Sequence, residues 1–127
     1  MRPSRGSVYL PPVAELTVYE KPTCTTCKKL ATLLVERGID FDRVDYHIDP
    51  LPEEKLRELV AKAGVPARDL LRAKEVRALG LDLDDAPDDE VIARMAEHPQ
   101  LLERPVVERG DRAVLARPVE RVEELLD

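Results

Sequence analysis

Hydrophobic and polar positions along the first third of the chain follow the order strand, helix, strand. The apolar run Leu16–Tyr19 is predicted as the first strand. From Thr25 to Arg37, leucines recur on one face of an amphipathic helix, which Gly38 ends. The imperfect alternation of Phe41–Tyr46 predicts a second strand. A strand, a helix and a strand in so short a span predict a βαβ unit with parallel strands.

The middle of the chain is predicted to be helical. Pro52 starts a helix that Gly64 ends, and one or two short helices are predicted between Pro66 and Leu79. The segment Asp85–Pro87 begins another helix, because the carboxylates that follow suit the positive end of the helix dipole.

The last part of the chain is predicted to form a β-hairpin followed by a helix. Two apolar segments, Pro105–Val107 and Ala113–Leu115, flank a turn that contains Gly110. The closing helix has three apolar positions: Val119, Val122 and Leu126. The whole order predicts an α/β fold with a four-stranded mixed sheet, helices on both faces and a helical insertion between the second and third strands.

Composition favours a folded protein without direct nucleic-acid binding. The 127 residues are 43% hydrophobic and 36% charged, which suits one domain with its own core. A net charge of −6, one Phe and no Trp argue against a basic, base-stacking surface. The domain is predicted to span residues 16–127 after a flexible leader, residues 1–15, that lacks the apolar stretch of a signal peptide. With no apolar run long enough to cross a bilayer, cytoplasmic localisation is expected.

Cys24 and Cys27 are the two cysteines of the chain, and they stand where the first strand gives way to the first helix. Amides at the positive end of a helix favour the thiolate form of the first cysteine, so Cys24 is the predicted nucleophile and Cys27 its redox partner. Zinc is disfavoured because only His47 and His98 could complete the ligand set. A purely structural disulfide in so short a loop would stabilise little. Together with the strand order, the motif predicts a thioredoxin-like fold.

Charged residues near the motif act on Cys24 in opposite directions. The carboxylate of Glu20, four residues earlier, would raise the pKa of the thiol and oppose the helix dipole. Lys21, Lys28 and Lys29 carry the opposite charge, so the sequence leaves the balance open.

Three arginines are candidates for binding an anion beside the thiol. Arg104 and Arg117 each precede a proline, which favours an extended backbone and fixes the direction of the side chain. Antiparallel pairing of the third and fourth strands puts these two residues at the same edge of the sheet. Arg72 lies at a junction between helices. Three guanidinium groups near a thiolate would bind a tetrahedral oxyanion, although any one of them alone is more often a surface or capping residue.

Four segments of the chain, taken in order, match a known family. They are Thr17–Cys24, Leu70–Glu75, Leu102–Val107 and Leu115–Pro118. In these segments the chain resembles the glutaredoxin-like arsenate reductase family, whose fold group also contains the Spx transcription regulators. The resemblance implies that Cys24 attacks arsenate and that the oxyanion is held by Arg72, Arg104 and Arg117. It also implies that Pro105 follows a cis peptide bond.

The leading hypothesis is a thiol-dependent reductase of arsenate or a related oxyanion, without a resident cofactor or metal. Cys27 or an external thiol (glutathione, glutaredoxin or thioredoxin) would release the product from Cys24. One alternative is a general thiol–disulfide oxidoreductase, which explains Cys27 better and the arginines less well. The other is a redox-sensing regulator of the Spx type, which would bind RNA polymerase and not DNA.

Overall fold

Four strands form one mixed sheet, in the order β2-β1-β3-β4, in a computed structural model that describes residues 16–126. The strands are β1 (Leu16–Glu20), β2 (Phe41–Asp45), β3 (Val106–Arg109) and β4 (Arg112–Leu115). β1 is parallel to β2 and antiparallel to β3, and β3 is antiparallel to β4. The predicted leader, residues 1–15, lies outside the described residues.

Most helices of the described residues lie between β2 and β3, where the helical insertion was predicted. The α-helices are α1 (Thr25–Glu36), α2 (Glu53–Ala63), α3 (Ala73–Ala78) and α4 (Asp88–Glu97). Short 3₁₀ helices occupy Ala67–Leu70, Pro99–Leu101 and Val119–Leu125. Pro52 and Pro87 directly precede α2 and α4, and Gly64 ends α2 with a φ of 67°. This arrangement confirms the predicted thioredoxin-like α/β fold class.

The sheet separates two apolar clusters, because alternate residues of each strand point to opposite faces. Tyr19 of β1 and Val106 of β3 belong to the cluster that α2 and α4 cover. Val18 and Val107, their neighbours in sequence, belong to the cluster that α1 and the C-terminal 3₁₀ helix cover. No helix within residues 16–126 is long and apolar enough to cross a membrane.

The closing helix differs in detail from its prediction. It is a 3₁₀ helix in which Val119, Val122 and Leu125 are buried, whereas the prediction used Leu126 in place of Leu125. A 3₁₀ helix has three residues per turn, so residues spaced by three share one face. Leu126 packs only at the edge of the cluster.

Candidate active site

Cys24 is the N-cap residue of α1 and has an extended backbone, with φ −76° and ψ 128°. Its amide donates to the carbonyl of Lys21 at 2.9 Å, which closes the turn between β1 and α1. The Sγ atom accepts a hydrogen bond from the amide of Cys27 at 3.4 Å. Both cysteines are free thiols, Cys24 partly exposed and Cys27 fully buried. The amide end of α1 therefore faces the accessible thiol.

The surroundings of the two thiols shift their pKa values in opposite directions. Burial opposes ionisation of Cys24, but hydrogen bonds from Cys27 and the positive charge of Arg104 outweigh it and lower the pKa. Burial raises the pKa of Cys27 to about 12, and the Cys24 thiol and the Glu20 carboxylate add to the rise. The balance that the sequence left open at Cys24 therefore falls on the side of a lowered pKa, while the charge of Glu20 acts on Cys27.

Arg104 is the arginine whose charge acts directly on Cys24. It lies just before β3, where the Arg104–Pro105 peptide bond is cis, and is only 9% exposed. Its Nε atom is buried and donates to no acceptor among residues 16–126. Because a buried N–H group is costly without an acceptor, this Nε atom is suited to bind an anion beside the thiol.

Arg117 reaches Arg104 from the neighbouring strand. The amide of Ala116 donates to the carbonyl of Pro105 at 2.9 Å and extends the pairing of β3 with β4. The Nη1 atom of Arg117 donates to the carbonyl of Arg104 at 2.9 Å. The peptide bond between Arg117 and Pro118 is also cis. The two Arg-Pro pairs thus meet at one edge of the sheet, with the guanidinium of Arg117 on the main chain of Arg104.

Arg72 lies just before α3, and its side chain contacts Glu103, the residue that precedes Arg104. An isolated antiparallel bridge between Leu71 and Leu102 brings the two segments together. The Nη1 atom of Arg72 donates to Oε1 of Glu103 at 2.8 Å. The Nε atom of Arg72 is buried with no acceptor among the described residues. An oxyanion would therefore share this guanidinium with the carboxylate of Glu103.

Two residues after β2 belong to the same neighbourhood and were not predicted as site residues. The buried hydroxyl of Tyr46 donates to the carbonyl of Leu102 at 2.5 Å. His47, considered only as a zinc ligand, has its ring centroid 4.6 Å from that of Tyr46. Burial lowers the pKa of His47, and the charges of Arg104 and Lys21 lower it further. Their place directly after β2 could have indicated them, since parallel neighbours such as β1 and β2 end at the same edge of a sheet.

Metal-ligating side chains and cavities were compared with the position of Cys24. No group of three or more His, Cys, Asp or Glu side chains within residues 16–126 could hold a metal ion. A cavity of about 540 Å³ opens beside α3, where Leu71, Val76 and Leu83 line it, and Cys24 is not part of its wall.

The fold and the thiol pair define a thiol-dependent reductase with a thioredoxin-like architecture. Comparison with known proteins gives the family: the model of the ArsC family matches residues 19–125. The chain therefore belongs to the ArsC family, which confirms the resemblance found in the sequence.

Individual relatives agree with this assignment. The chain is 34% identical over 115 residues to the arsenate reductase of Neisseria meningitidis serogroup A, covering 88% of this chain and 98% of that protein. It is 32% identical over 94 residues to the global transcriptional regulator Spx 2 of Lactococcus lactis, covering 72% and 71%. The solved structure of the arsenate reductase from Vibrio cholerae has a TM-score of 0.77 at 30% identity, covering 89% and 98%.

Proposed function

We propose that this protein reduces arsenate, or an oxyanion of the same shape and charge, with Cys24 as the nucleophile. The observation that carries the proposal is a partly exposed thiol of lowered pKa beside the buried guanidinium of Arg104. The thiolate is the attacking form of cysteine, and a guanidinium group matches paired oxygens. The relatives named arsenate reductases support this substrate.

The proposed reaction has two steps, in which two thiols supply the two electrons that reduce one arsenic atom. First, the Cys24 thiolate attacks arsenic, and one arsenate oxygen leaves as water after taking up protons. Then Cys27 attacks the Sγ atom of Cys24, the sulfur–arsenic bond breaks, and its electron pair leaves with arsenic as arsenite. An external thiol such as glutathione, glutaredoxin or thioredoxin reduces the resulting disulfide. Because the electrons come from thiols, the scheme uses no resident cofactor.

The three arginines take different parts in this proposal. Arg104 binds the oxyanion beside Cys24, because its charge already acts on that thiol. Arg117 holds the main chain of Arg104 from β4 and adds positive charge at the same edge. Arg72 contributes the guanidinium that it shares with Glu103.

A steady-state assay of arsenite formation tests the proposal, with reduced protein and either glutathione with glutaredoxin or thioredoxin as the donor. Cys24→Ser should abolish turnover, whereas Cys27→Ser should keep it only where an external thiol can replace Cys27. Arg104→Ala should slow turnover, and Arg68→Ala, which removes an exposed arginine outside the site, should not. Full activity of Cys24→Ser would reject the proposal.

A general thiol–disulfide oxidoreductase is the second candidate. It is favoured by Cys27, which is buried behind Cys24 and whose amide donates to the Cys24 sulfur. An assay with a model disulfide beside arsenate separates the two functions. Faster turnover of the disulfide that is insensitive to Arg104→Ala would favour the oxidoreductase.

The similarity to Spx 2 supports a third function, regulation through RNA polymerase. This function predicts that the polymerase α subunit captures the protein and that capture differs between the reduced and oxidised thiol pair. A pull-down in both redox states would detect it. Equal absence of capture in both states would remove this candidate.

A further inference from the structure

A buried carboxylate stands at the carboxyl end of β1. Glu20 is 1% exposed, and its Oε2 atom accepts a hydrogen bond from Nε of Arg43 at 2.6 Å. Its Oε1 atom is equally buried but accepts no hydrogen bond from any residue between 16 and 126. Burying a carboxylate oxygen without a donor is costly, so this oxygen is free to accept a proton from a neighbouring group.

The register of β1 places Glu20 on the face of the sheet that α1 covers. Leu16, Val18 and Glu20 alternate along the strand and therefore share a face. The buried positions of α1 are Cys27, Leu30 and Leu34. Leu16 and Val18 belong to the same cluster as the two leucines of α1. Since α1 connects two parallel strands, it runs back along β1, and its first turn, with Cys27, meets the last residue of the strand.

Cys27 needs a proton acceptor when it attacks Cys24. Its side chain is fully buried, and its pKa is raised to about 12, whereas the attacking form of cysteine is the thiolate. Glu20 is the carboxylate whose charge acts on this thiol.

We propose that Glu20 accepts the proton of Cys27 in the step that closes the Cys24–Cys27 disulfide. The Cys27 sulfur then bonds to Sγ of Cys24, the bond from Cys24 to its outgoing group breaks, and the electron pair leaves with that group. The proton moves to Oε1 of Glu20 while Arg43 holds the other oxygen. This step rests on the proposed thiol chemistry but is the same whether the outgoing group is arsenite or a thiolate.

The test uses the reduced full-length protein and one equivalent of the aryl disulfide dithiobis(nitrobenzoate). Attack by Cys24 releases a first coloured nitrobenzoate thiolate, and attack by Cys27 on the mixed disulfide releases a second. We expect Glu20→Gln to slow the second release about tenfold or more near neutral pH, since a positioned proton acceptor contributes at least that much. The first release should keep its rate. Glu20→Asp, which keeps a carboxylate, should recover part of the second rate.

The matched control is Glu36→Gln, which removes an exposed carboxylate at the far end of α1 and should change neither release. A purely electrostatic role predicts the opposite sign: without the charge of Glu20, Cys27 would ionise more readily and the second release would become faster. A second release that is unchanged or faster in Glu20→Gln would therefore overturn the proposal.

Two further measurements keep the outcomes separate. Circular dichroism and the first release report whether each variant is folded; if Glu20→Gln does not fold, Glu20→Ala takes its place, and a second release in it that is unchanged or faster would overturn the proposal, whereas a slowed one would support it. Absence of a second release in the wild type would also overturn it. Because no arsenate is used, failure of the protein to reduce arsenate would reject that function and leave the role of Glu20 standing.

Discussion

At the scale of single residues, the site combines one accessible thiol with one buried guanidinium. Cys24 gains its low pKa from hydrogen bonds and from Arg104, against the effect of its own burial. At Cys27, three residues later, burial, the Cys24 thiol and the charge of Glu20 outweigh a backbone hydrogen bond at Lys21 and raise the pKa. This contrast supports the proposal that Cys24 attacks the substrate and Cys27 closes the disulfide.

Alkylation by iodoacetamide should therefore label Cys24 before Cys27 at mildly acidic pH, as peptide mapping can show. Arg104→Ala should move the pH profile of Cys24 labelling to higher pH, because the guanidinium lowers the pKa of this thiol. Arg68→Ala, a loss of charge at an exposed position, serves as the control and should leave the profile in place. Preferential labelling of Cys27 would contradict the assignment.

Oxyanion binding should depend on the same guanidinium. Calorimetry with arsenate or sulfate should show that Arg104→Ala weakens binding by roughly tenfold or more, since a charge-assisted hydrogen bond contributes about 1.5–3 kcal/mol. Arg104→Lys should recover only part of the affinity, because a point charge lacks the paired donors. Glu103→Gln should strengthen binding, because it removes the negative charge that competes with the oxyanion for Arg72. If wild-type protein binds no oxyanion, the site is misassigned.

At the scale of secondary-structure elements, α1 holds the thiols in place. Its buried stripe packs Leu30 and Leu34 against β1, so the first turn and the N-cap are fixed relative to the sheet. The stripe was visible in the sequence as a helical period, which is why this element could be predicted. The sequence did not show that Glu20 points toward the same stripe, because this depends on where β1 begins and on its register.

Truncating this stripe should destabilise the fold. Leu30 is fully buried, so Leu30→Ala should lower the free energy of unfolding by about 2–5 kcal/mol. Val35 lies on the same helix but is 68% exposed, so Val35→Ala is the matched control and should cost about 0.5 kcal/mol or less. Urea denaturation measures both. Equal effects of the two substitutions would mean that α1 does not pack as described.

A second contact joins β3 to α2 through a buried carboxylate. Glu108 accepts hydrogen bonds from the hydroxyl of Tyr19 at 2.6 Å, from Nζ of Lys55 at 2.9 Å and from Nζ of Lys62. Burial opposes ionisation of Glu108, but these donors outweigh it and hold its pKa below the ordinary value of 4.5. The charged form is therefore bound more strongly in the folded state than in the unfolded state.

A carboxylate of lowered pKa stabilises the fold above its unfolded pKa, and this stability is lost as pH falls through the folded pKa. Glu108→Gln should thus lower the free energy of unfolding by about 1.5–3 kcal/mol near neutral pH. The difference between wild type and variant should shrink as the pH falls below 4.5. Urea denaturation across this range checks the sign. A difference that grows on acidification would contradict this account of Glu108.

At the scale of the whole molecule, the sequence predicted the features that depend on local patterns but not the contacts between distant residues. The βαβ unit, the helical insertion and the hairpin follow from periodicity and from turn residues that act over a few positions. The pairing of Arg72 with Glu103 joins residues 31 positions apart and depends on a single bridge between Leu71 and Leu102. No periodic pattern encodes such a bridge, so the sequence could name the arginines but not their partners.

The central claim is that two thiols of one chain reduce one oxyanion. The most direct measurement is a single turnover of fully reduced protein with arsenate and without any external thiol, followed by mass spectrometry and by an assay for arsenite. The account predicts one Cys24–Cys27 disulfide for each arsenite released, and neither product in Cys24→Ser. Both thiols still free and no arsenite formed by wild-type protein that binds arsenate would contradict it.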